Sequence, residues 1–428
     1  MRTIPATFRY HGTDPSTSQN PAYAEKIDGT WVRTDYSTYY QQCLQAARAM
    51  ISLGFVADAK ISILAFNRPE WVIADLAAMM AGGVPAGIYQ TCSPDEVAYI
   101  ISHSESHIVF VEDIDQWNKV NETADRLSEL HWVVLMKGIS LGASQEGSAL
   151  ASKTLTWEAF LAKGEETPET EVDARIDGID PEAPATFIYT SGTTGPPKAV
   201  MLSHNNLSFT AAAAIGLVGL TSKDSMLSYL PLSHIAEQMF SIHGPISSAC
   251  MVSFAESIEK VPENLTEVHP TVIFGVPRIW EKMHTKIQNG LADAPALRKK
   301  IAGWAMSIGA EVSDCRNRGT ELSPLQLIKY KMANKLVFSK LKAKIGLDQA
   351  RICVSGAAPI AAEVLQFLAS LDLVIHEVYG QSEGSGPTTF NLPAHTRFGT
   401  VGSLIDGIEV VIAEDDEILV RGKNIFLG

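Results

Sequence analysis

An α/β fold with parallel strands is what this sequence predicts, and three observations carry the prediction. Short β-rich runs alternate with helical apolar patterns at the spacing of βαβ units. Several polar or glycine-bearing turns fall directly after such runs, where open α/β sheets place their ligands. And 428 residues, 46% hydrophobic and 19% charged, suffice for a sizeable core and exclude a disordered or fibrous chain. No fixed-period repeat suggests a solenoid or propeller.

The elements follow in order. After an irregular start, residues 60–66 (KISILAF) read as a strand, 69–80 as a helix, 84–89 as a strand, 96–103 as a helix and 107–111 as a strand. Residues 164–184, rich in Glu, Asp and Pro, show no apolar periodicity and read as an exposed connector. Two strands, 185–190 and 199–202, then flank a polar, glycine-rich turn, and a helix is expected from Ser203 or Asn205, residue types that cap amino ends. Further strands are expected at 225–229, 271–274, 351–354 and 373–378, with helices across 278–345 and short β elements over 399–428.

Charge narrows the function classes. With 34 Lys and Arg against 48 Asp and Glu, the net charge of −14 argues against a nucleic-acid partner. Residues 278–351 invert the balance, with 15 Lys and Arg against 6 Asp and Glu. Solvated faces of amphipathic helices would explain that stretch, and so would attraction to the phosphates of a cofactor or to an anionic membrane surface. The five cysteines (Cys43, Cys92, Cys250, Cys315, Cys353) are scattered, without metal-ligand spacing, and read as reduced thiols. The amino terminus lacks a signal-peptide run, and no segment offers the ~18 apolar residues of a membrane span. A cytoplasmic protein without a transmembrane segment, at most peripheral on a membrane, is expected.

The sharpest chemical signal is YTSGTTGPPKAVMLSH at 189–204. Thr190, Ser191, Gly192, Thr193, Thr194 and Gly195 combine hydroxyls with glycines whose N–H groups can approach an anion, and Lys198 adds a point charge. Two prolines before the lysine and a strand after it set the string apart from a helix-opening P-loop. In YGQSEG, Tyr379 offers a flat face for a purine and Glu383 an oxygen ligand for magnesium beside phosphates. In SGAAP, Gly356, Ala357 and Ala358 leave room for a planar ring, though such residues also make ordinary tight turns. His234 suits either a carboxylate-activation site or a hydrogen-bonded place near the core.

The 189–204 string resembles the nucleotide-binding signature of the adenylate-forming superfamily, which includes acyl-CoA synthetases, firefly-type luciferases and peptide-synthetase adenylation domains. LPLSHIAE (230–237), FGVPRIWEKM (274–283), SGAAP (355–359), YGQSE (379–383) and EILVRG (417–422) follow in that family's order. Their wording is similar to the long-chain, bubblegum-like acyl-CoA synthetases, and the resemblance runs from about residue 30 to the end. Its implications are specific. The fold would be the family's large N-terminal domain: stacked α/β sheets with flanking helices and a small distorted β-barrel. Residues 1–180 and 185–370 would form two α/β subdomains, with 371–428 as remaining strands and barrel elements. The activity would be ATP-dependent conversion of a long-chain fatty acid to its acyl-adenylate, then thioester formation with CoA, releasing AMP and pyrophosphate.

By the same resemblance, Lys198, His234, Ser382 and Glu383 would serve catalysis, and the hairpin from Thr190 to Lys198 would hold the phosphates. Gly356, Ala357 and Ala358, together with Glu377, Val378, Tyr379, Gly380, Gln381 and Ser382, would receive the nucleotide. Glu383 and Thr193 would hold Mg2+, and His234, Arg278 and Trp280 would meet the acyl substrate. Ser382 stands where the family most often has threonine and keeps the hydroxyl. The acyl pocket is expected from 237–244 with parts of 273–280. Family members continue past the EILVRG motif into a ribose-binding aspartate, a hinge and a small mobile domain with a catalytic lysine. This chain is therefore expected to bind ATP or acyl-adenylate but to turn over weakly. A non-catalytic nucleotide or lipid module, and a short-chain or aryl acid ligase, remain the alternatives.

Overall fold

A computed structural model describes residues 2–191 and 195–428. Helix α1 (Ile4–Thr13) starts on a Thr3 cap with proline in its first turn. Strand β1 (Pro21–Ile27) then turns back into β2 (Thr30–Asp35), and Asp35 caps α2 (Tyr36–Ser52). The expected irregular start is thus regular structure. Its apolar faces include Tyr36, Tyr39 and Tyr40, whose polar tips blur the periodicity although all three are buried.

The parallel core comes next: β3 (Lys60–Leu64), α3 (Pro69–Met80), β4 (Val84–Ile88), α4 (Pro94–His103), β5 (Ser106–Val111), α5 (Ile114–Glu122), β6 (Trp132–Leu135) and β7 (Thr154–Thr156). Every residue of α3 is buried, as its apolar composition requires of a helix packed on all sides. The 164–184 connector is also corrected. After α6 (Trp157–Lys163), residues 169–177 form α7 (Glu169–Asp177), which buries Val172 and Ile176 at i,i+4. Arg175 of α7 donates to the carbonyls of Phe55 and Ala81, both at 2.9 Å, and Arg9 pairs with Asp173 and Asp177. An acidic exterior hides that short apolar pair from a periodicity reading.

Strands β8 (Pro184–Thr190) and β9 (Lys198–Ser203) form an antiparallel hairpin on one side of a seven-stranded sheet, in the order β7-β6-β5-β3-β4-β8-β9. Ser203 and Asn206 make a capping box for α8 (His204–Val218). A four-stranded sheet follows, β10 (Ser225–Ser228) and β11 (Met251–Phe254) joining β1 and β2 in the order β10-β11-β1-β2. Between β10 and β11 run α9 (Ile235–Gln238), a π-helical turn at Met239–His243 and α10 (Gly244–Ser248).

After α11 (Val261–Val268), β12 (Val272–Gly275) opens a third sheet. A long helical excursion separates it from β13 (Ile352–Ser355): α12 (Pro277–Ala292), α13 (Ala296–Asn317), α14 (Pro324–Ala333), a π-helical turn at Asn334–Phe338 and α15 (Ser339–Lys344). Helix α16 (Ala362–Ser370) leads to β14 (Ile375–Gln381), β15 (Gly386–Phe390) and β16 (Ser403–Leu404), giving the order β12-β13-β14-β15-β16. Strands β17 (Ile408–Ile412) and β18 (Ile418–Gly422) pair alone, so among the described residues no closed barrel forms. The largest apolar cluster joins the amino-terminal helices to the first two sheets, and another lies beneath β12–β14. All five cysteines are free, and among the described residues no helix is long and apolar enough to cross a membrane.

Candidate active site

The last residues of the chain tie the YGQSEG turn to the start of α8 and to β9. The Asn206 side-chain amide, at the start of α8, donates to the carbonyls of Lys423 (2.7 Å) and Ile425 (2.9 Å). The Ser385 hydroxyl donates to the carbonyl of Asn424 at 2.7 Å. Phe426 N–H donates to the carbonyl of Glu383 and Leu427 N–H to that of Met201, both at 2.9 Å. Met201 lies on β9 with Lys198, so one extended segment fixes the Ser382–Glu383 turn beside the strand that carries the lysine. Lys198, opposite Thr190 in the ladder, is exposed, as are Ser191 and Gly195. Gly192, Thr193 and Thr194 lie outside the described residues.

The third sheet supplies the next wall. At Gly356 a β-carbon would sit 2.5 Å from Val378 Cγ1 and 3.2 Å from the Phe274 ring, so only glycine lets the β13 turn lie against β14. Ala357 follows with φ of 68°, and Ala357 and Ala358 are exposed. At Gly380 a β-carbon would meet the Gly386 carbonyl oxygen at 1.8 Å, which fixes glycine where β14 and β15 approach.

These turns stand at a half-open cavity. Its walls are almost wholly apolar: Ala214 and Leu217 from α8, Met226 from β10, Phe240 from the π-turn, Phe274 from β12 and Phe390 from β15. His234, Ala357, Val378, Gly380 and Gln381 of the motifs line it too. A pocket with long apolar walls and few polar groups fits an elongated apolar ligand with one polar end. Tyr379, between Val378 and Gly380 on the strand, is half-buried and does not line the cavity.

The polar end is set by His234 and Glu237. His234 caps α9, its Nδ1 accepting the Ala236 N–H at 3.1 Å. Burial pushes its pKa down, so the ring is neutral and its remaining proton belongs to Nε2. Glu237 is buried three positions on. Its Oε1 accepts from the Ser241 hydroxyl (2.7 Å), the Ser228 hydroxyl (2.8 Å), the Tyr229 N–H (3.2 Å) and the Asn67 amide (3.3 Å). Desolvation nevertheless pushes its pKa up to about 7. That carboxyl ties the His234 segment to β10. The sequence reading took Glu237 only as the end of a pocket segment, because nothing local shows that four donors converge on it.

Other expected residues are placed elsewhere. Trp280 is fully buried among the apolar residues beneath β12, its indole N–H donating to the Gly275 carbonyl at 3.2 Å, and does not reach the cavity. Arg278 is exposed on the outer face of α12. The helix sends Arg278 outward and folds the Trp280 ring back against Gly275 at the strand end, which their place after a strand could not reveal. Glu377 is buried and accepts the N–H of Gly399, in the loop between β15 and β16, at 3.1 Å. Ser382 is buried at the start of its turn and Glu383 half-buried beside it. Among the described residues no cluster of three or more His, Cys, Asp or Glu could hold a metal alone. A single carboxylate such as Glu383 is what Mg2+ uses when phosphates and water complete its shell. The α8 walls, Ala214 and Leu217, were missed, since an alanine-rich helix reads equally as packing.

Comparison with known proteins gives the family and the fold. A family model described as AMP-binding enzyme matches residues 14–428. The long-chain-fatty-acid–CoA ligase ACSBG2 of Xenopus laevis is 38% identical over 419 residues, covering 95% of this chain and 55% of that protein. Human ACSBG2 is 35% identical over 435 residues, covering 100% and 64%. Human ACSBG1 is 33% identical over 415, covering 94% and 56%. The chain thus spans little more than half to under two thirds of the length of these curated relatives. Among solved structures, the N-terminal domain of FACL13 from Mycobacterium tuberculosis aligns with a TM-score of 0.70 at 17% identity, covering 100% of this chain and 90% of that one. Apo MatB from Rhodopseudomonas palustris aligns at 0.69 and 18%, covering 100% and 71%. At such identities the likeness speaks for the fold.

Proposed function

We propose, since this chain belongs to the AMP-binding enzyme family, that it binds ATP and a long-chain fatty acid and forms the acyl-adenylate, which the complete enzyme passes to CoA. The observation that carries the reading is the apolar cavity bordered by His234, Ala357, Gly380 and Gln381, where an acyl chain would lie with its carboxyl group beside a nucleotide. Each buried methylene contributes about 0.8 kcal/mol. The relatives named as long-chain ligases support the same substrate class.

The chemistry follows from charge. A carboxylate oxygen attacks the α-phosphorus, the P–O bond to the β-phosphate breaks, and pyrophosphate leaves; in the complete enzyme the CoA thiol later displaces AMP. Carboxylate and triphosphate repel, so the protein's work is neutralisation and in-line placement. Lys198, with Thr190, Ser191 and the rest of the hairpin, would meet the phosphates. Neutral His234 would donate a hydrogen bond from its Nε2–H to the carboxylate, orienting it without competing as a cation. The exposed backbone of Ala357 and Ala358 and the ring of Tyr379 would receive the adenine. Glu383 would hold Mg2+, which when bound supplies positive charge to the phosphate oxygens. A cytosolic site, where ATP, Mg2+ and CoA are all available, belongs to this reading.

The test is fatty-acid-dependent exchange of labelled pyrophosphate into ATP by the complete enzyme, with acids from C8 to C18 and aromatic acids compared. Exchange that rises with chain length supports the proposal. ATP binding without exchange for any carboxylate would make the chain a non-catalytic module, and exchange confined to short or aryl acids would move it to another ligase class.

A further inference from the structure

The helical excursion between β12 and β13 carries a surface that the nucleotide and acyl site does not use. Helix α13 buries Ala305, Ile308 and Val312 against Ala333 and Phe338. At Gly309 it packs so closely on the α16 end that a β-carbon would meet the Ser370 carbonyl oxygen at 2.0 Å. With that packing satisfied, α13 still presents Leu297, Ile301 and Trp304 to solvent, an i,i+4,i+7 stripe. Helix α14 presents Leu325, Ile328 and Met332 at i,i+3,i+7, and Leu336 extends that stripe into the following turn. Leu297 is 70% exposed and Leu325 62%. Large apolar side chains aligned along two neighbouring helices are not the scattered singletons of an ordinary surface.

Basic residues outnumber acidic ones around these stripes, with Asp293, Glu311 and Glu321 the nearest carboxylates in sequence. Arg298, Lys299 and Lys300 flank the first, and residues 324–344 contain six lysines and no Asp or Glu. Of those six, Lys342 alone is in an ion pair among the described residues, with Asp372. Lysines beside aliphatic stripes fit a headgroup layer, where the stem lies on apolar surface and the ammonium meets phosphate. A protein partner fits less well, because protein–protein interfaces are depleted in lysine.

We propose that the outer faces of α13 and α14 dock on the surface of a bilayer containing anionic phospholipid, the apolar stripes entering the headgroup boundary and the lysines pairing with lipid phosphate and carboxylate. None of these residues lines the acyl cavity, so the surface stands or falls separately from the ligase reading.

The experiment is co-sedimentation of the 428-residue protein with phosphatidylcholine vesicles, with and without about 30 mol% phosphatidylserine. The expected result is binding to the anionic vesicles at low salt, weakened roughly tenfold or more in 0.5 M salt. A similar loss is expected in the double variant Leu325→Ser/Ile328→Ser and in the triple variant Lys329→Glu/Lys331→Glu/Lys335→Glu, with unchanged circular dichroism. Brominated lipid should quench wild-type tryptophan fluorescence, and Trp304→Phe should remove that quenching while folding normally. No binding to anionic vesicles at low salt overturns the proposal, as does undiminished binding by both surface variants. Self-association that the Leu325→Ser/Ile328→Ser change abolishes, without vesicle binding, would instead assign the face to a second copy of the chain.

Discussion

Replacing Glu237 by glutamine isolates the ionisation of one buried carboxyl. All four donors, from Asn67, Ser228, Tyr229 and Ser241, converge on Oε1. An amide oxygen in that place can still accept from them, while the ability to ionise is lost. In the wild type, burial raises the pKa from 4.5 to about 7. Between those values the folded protein keeps a proton that the unfolded chain has lost, so rising pH favours unfolding. The contribution is fully favourable below pH 4.5 and exhausted above about 7. Its slope is at most ~1.4 kcal/mol per pH unit, about 3 kcal/mol across the window. Urea midpoints of both proteins between pH 4.5 and 8 provide the assay. Glu237→Gln should gain on the wild type by about 3 kcal/mol over that range. A wild-type-to-variant difference that stays constant with pH would refute the reasoning and mean that Glu237 is ionised throughout.

Lys198→Ala should weaken ATP binding by about tenfold to a hundredfold, the value of one charge-assisted contact, with little change in melting temperature because the side chain is exposed; isothermal calorimetry with MgATP reads it. Gly380→Ala forces a β-carbon to 1.8 Å from the Gly386 carbonyl oxygen, so the β14–β15 hairpin must spread; denaturation should show a loss of about 3 kcal/mol, and binding of an acyl-adenylate analogue should fall with it. Trp280→Phe should cost about 1–3 kcal/mol in stability by removing the Gly275 hydrogen bond and some packing, yet leave the affinity for such an analogue within twofold, as measured by competition binding.

Local patterns were the most legible in the sequence. Strands β3, β4 and β5 and helices α3 and α4 lie within two residues of where alternation put them, because each is written in its own window. The β8–β9 hairpin could be read from its two strand runs and the turn between them. The second sheet could not be: β1 pairs in parallel with β11, Tyr23 opposite Val252, and no local pattern records a partner so distant in sequence. The same physics limited the site. Motif residues such as His234, Ala357, Gly380 and Gln381 stood out as ordered strings and do border the cavity. The walls from α8 and β15 carry ordinary apolar residues whose role arises only in packing. Trp280 shows the converse, an aromatic in a motif whose ring turns into the core. The roles of Gly192, Thr193 and Thr194 rest on the sequence alone.

Calorimetric titration of this protein with a non-hydrolysable hexadecanoyl-adenylate analogue engages the adenine, phosphate and acyl positions together. The account predicts one site per chain, competition by both MgATP and palmitate, and affinity that falls as the acyl chain is shortened, each methylene removed costing about 0.8 kcal/mol. Binding that is absent, or that is indifferent to acyl length while adenosine alone binds equally well, would contradict the claim that the cavity and the nucleotide motifs form one site.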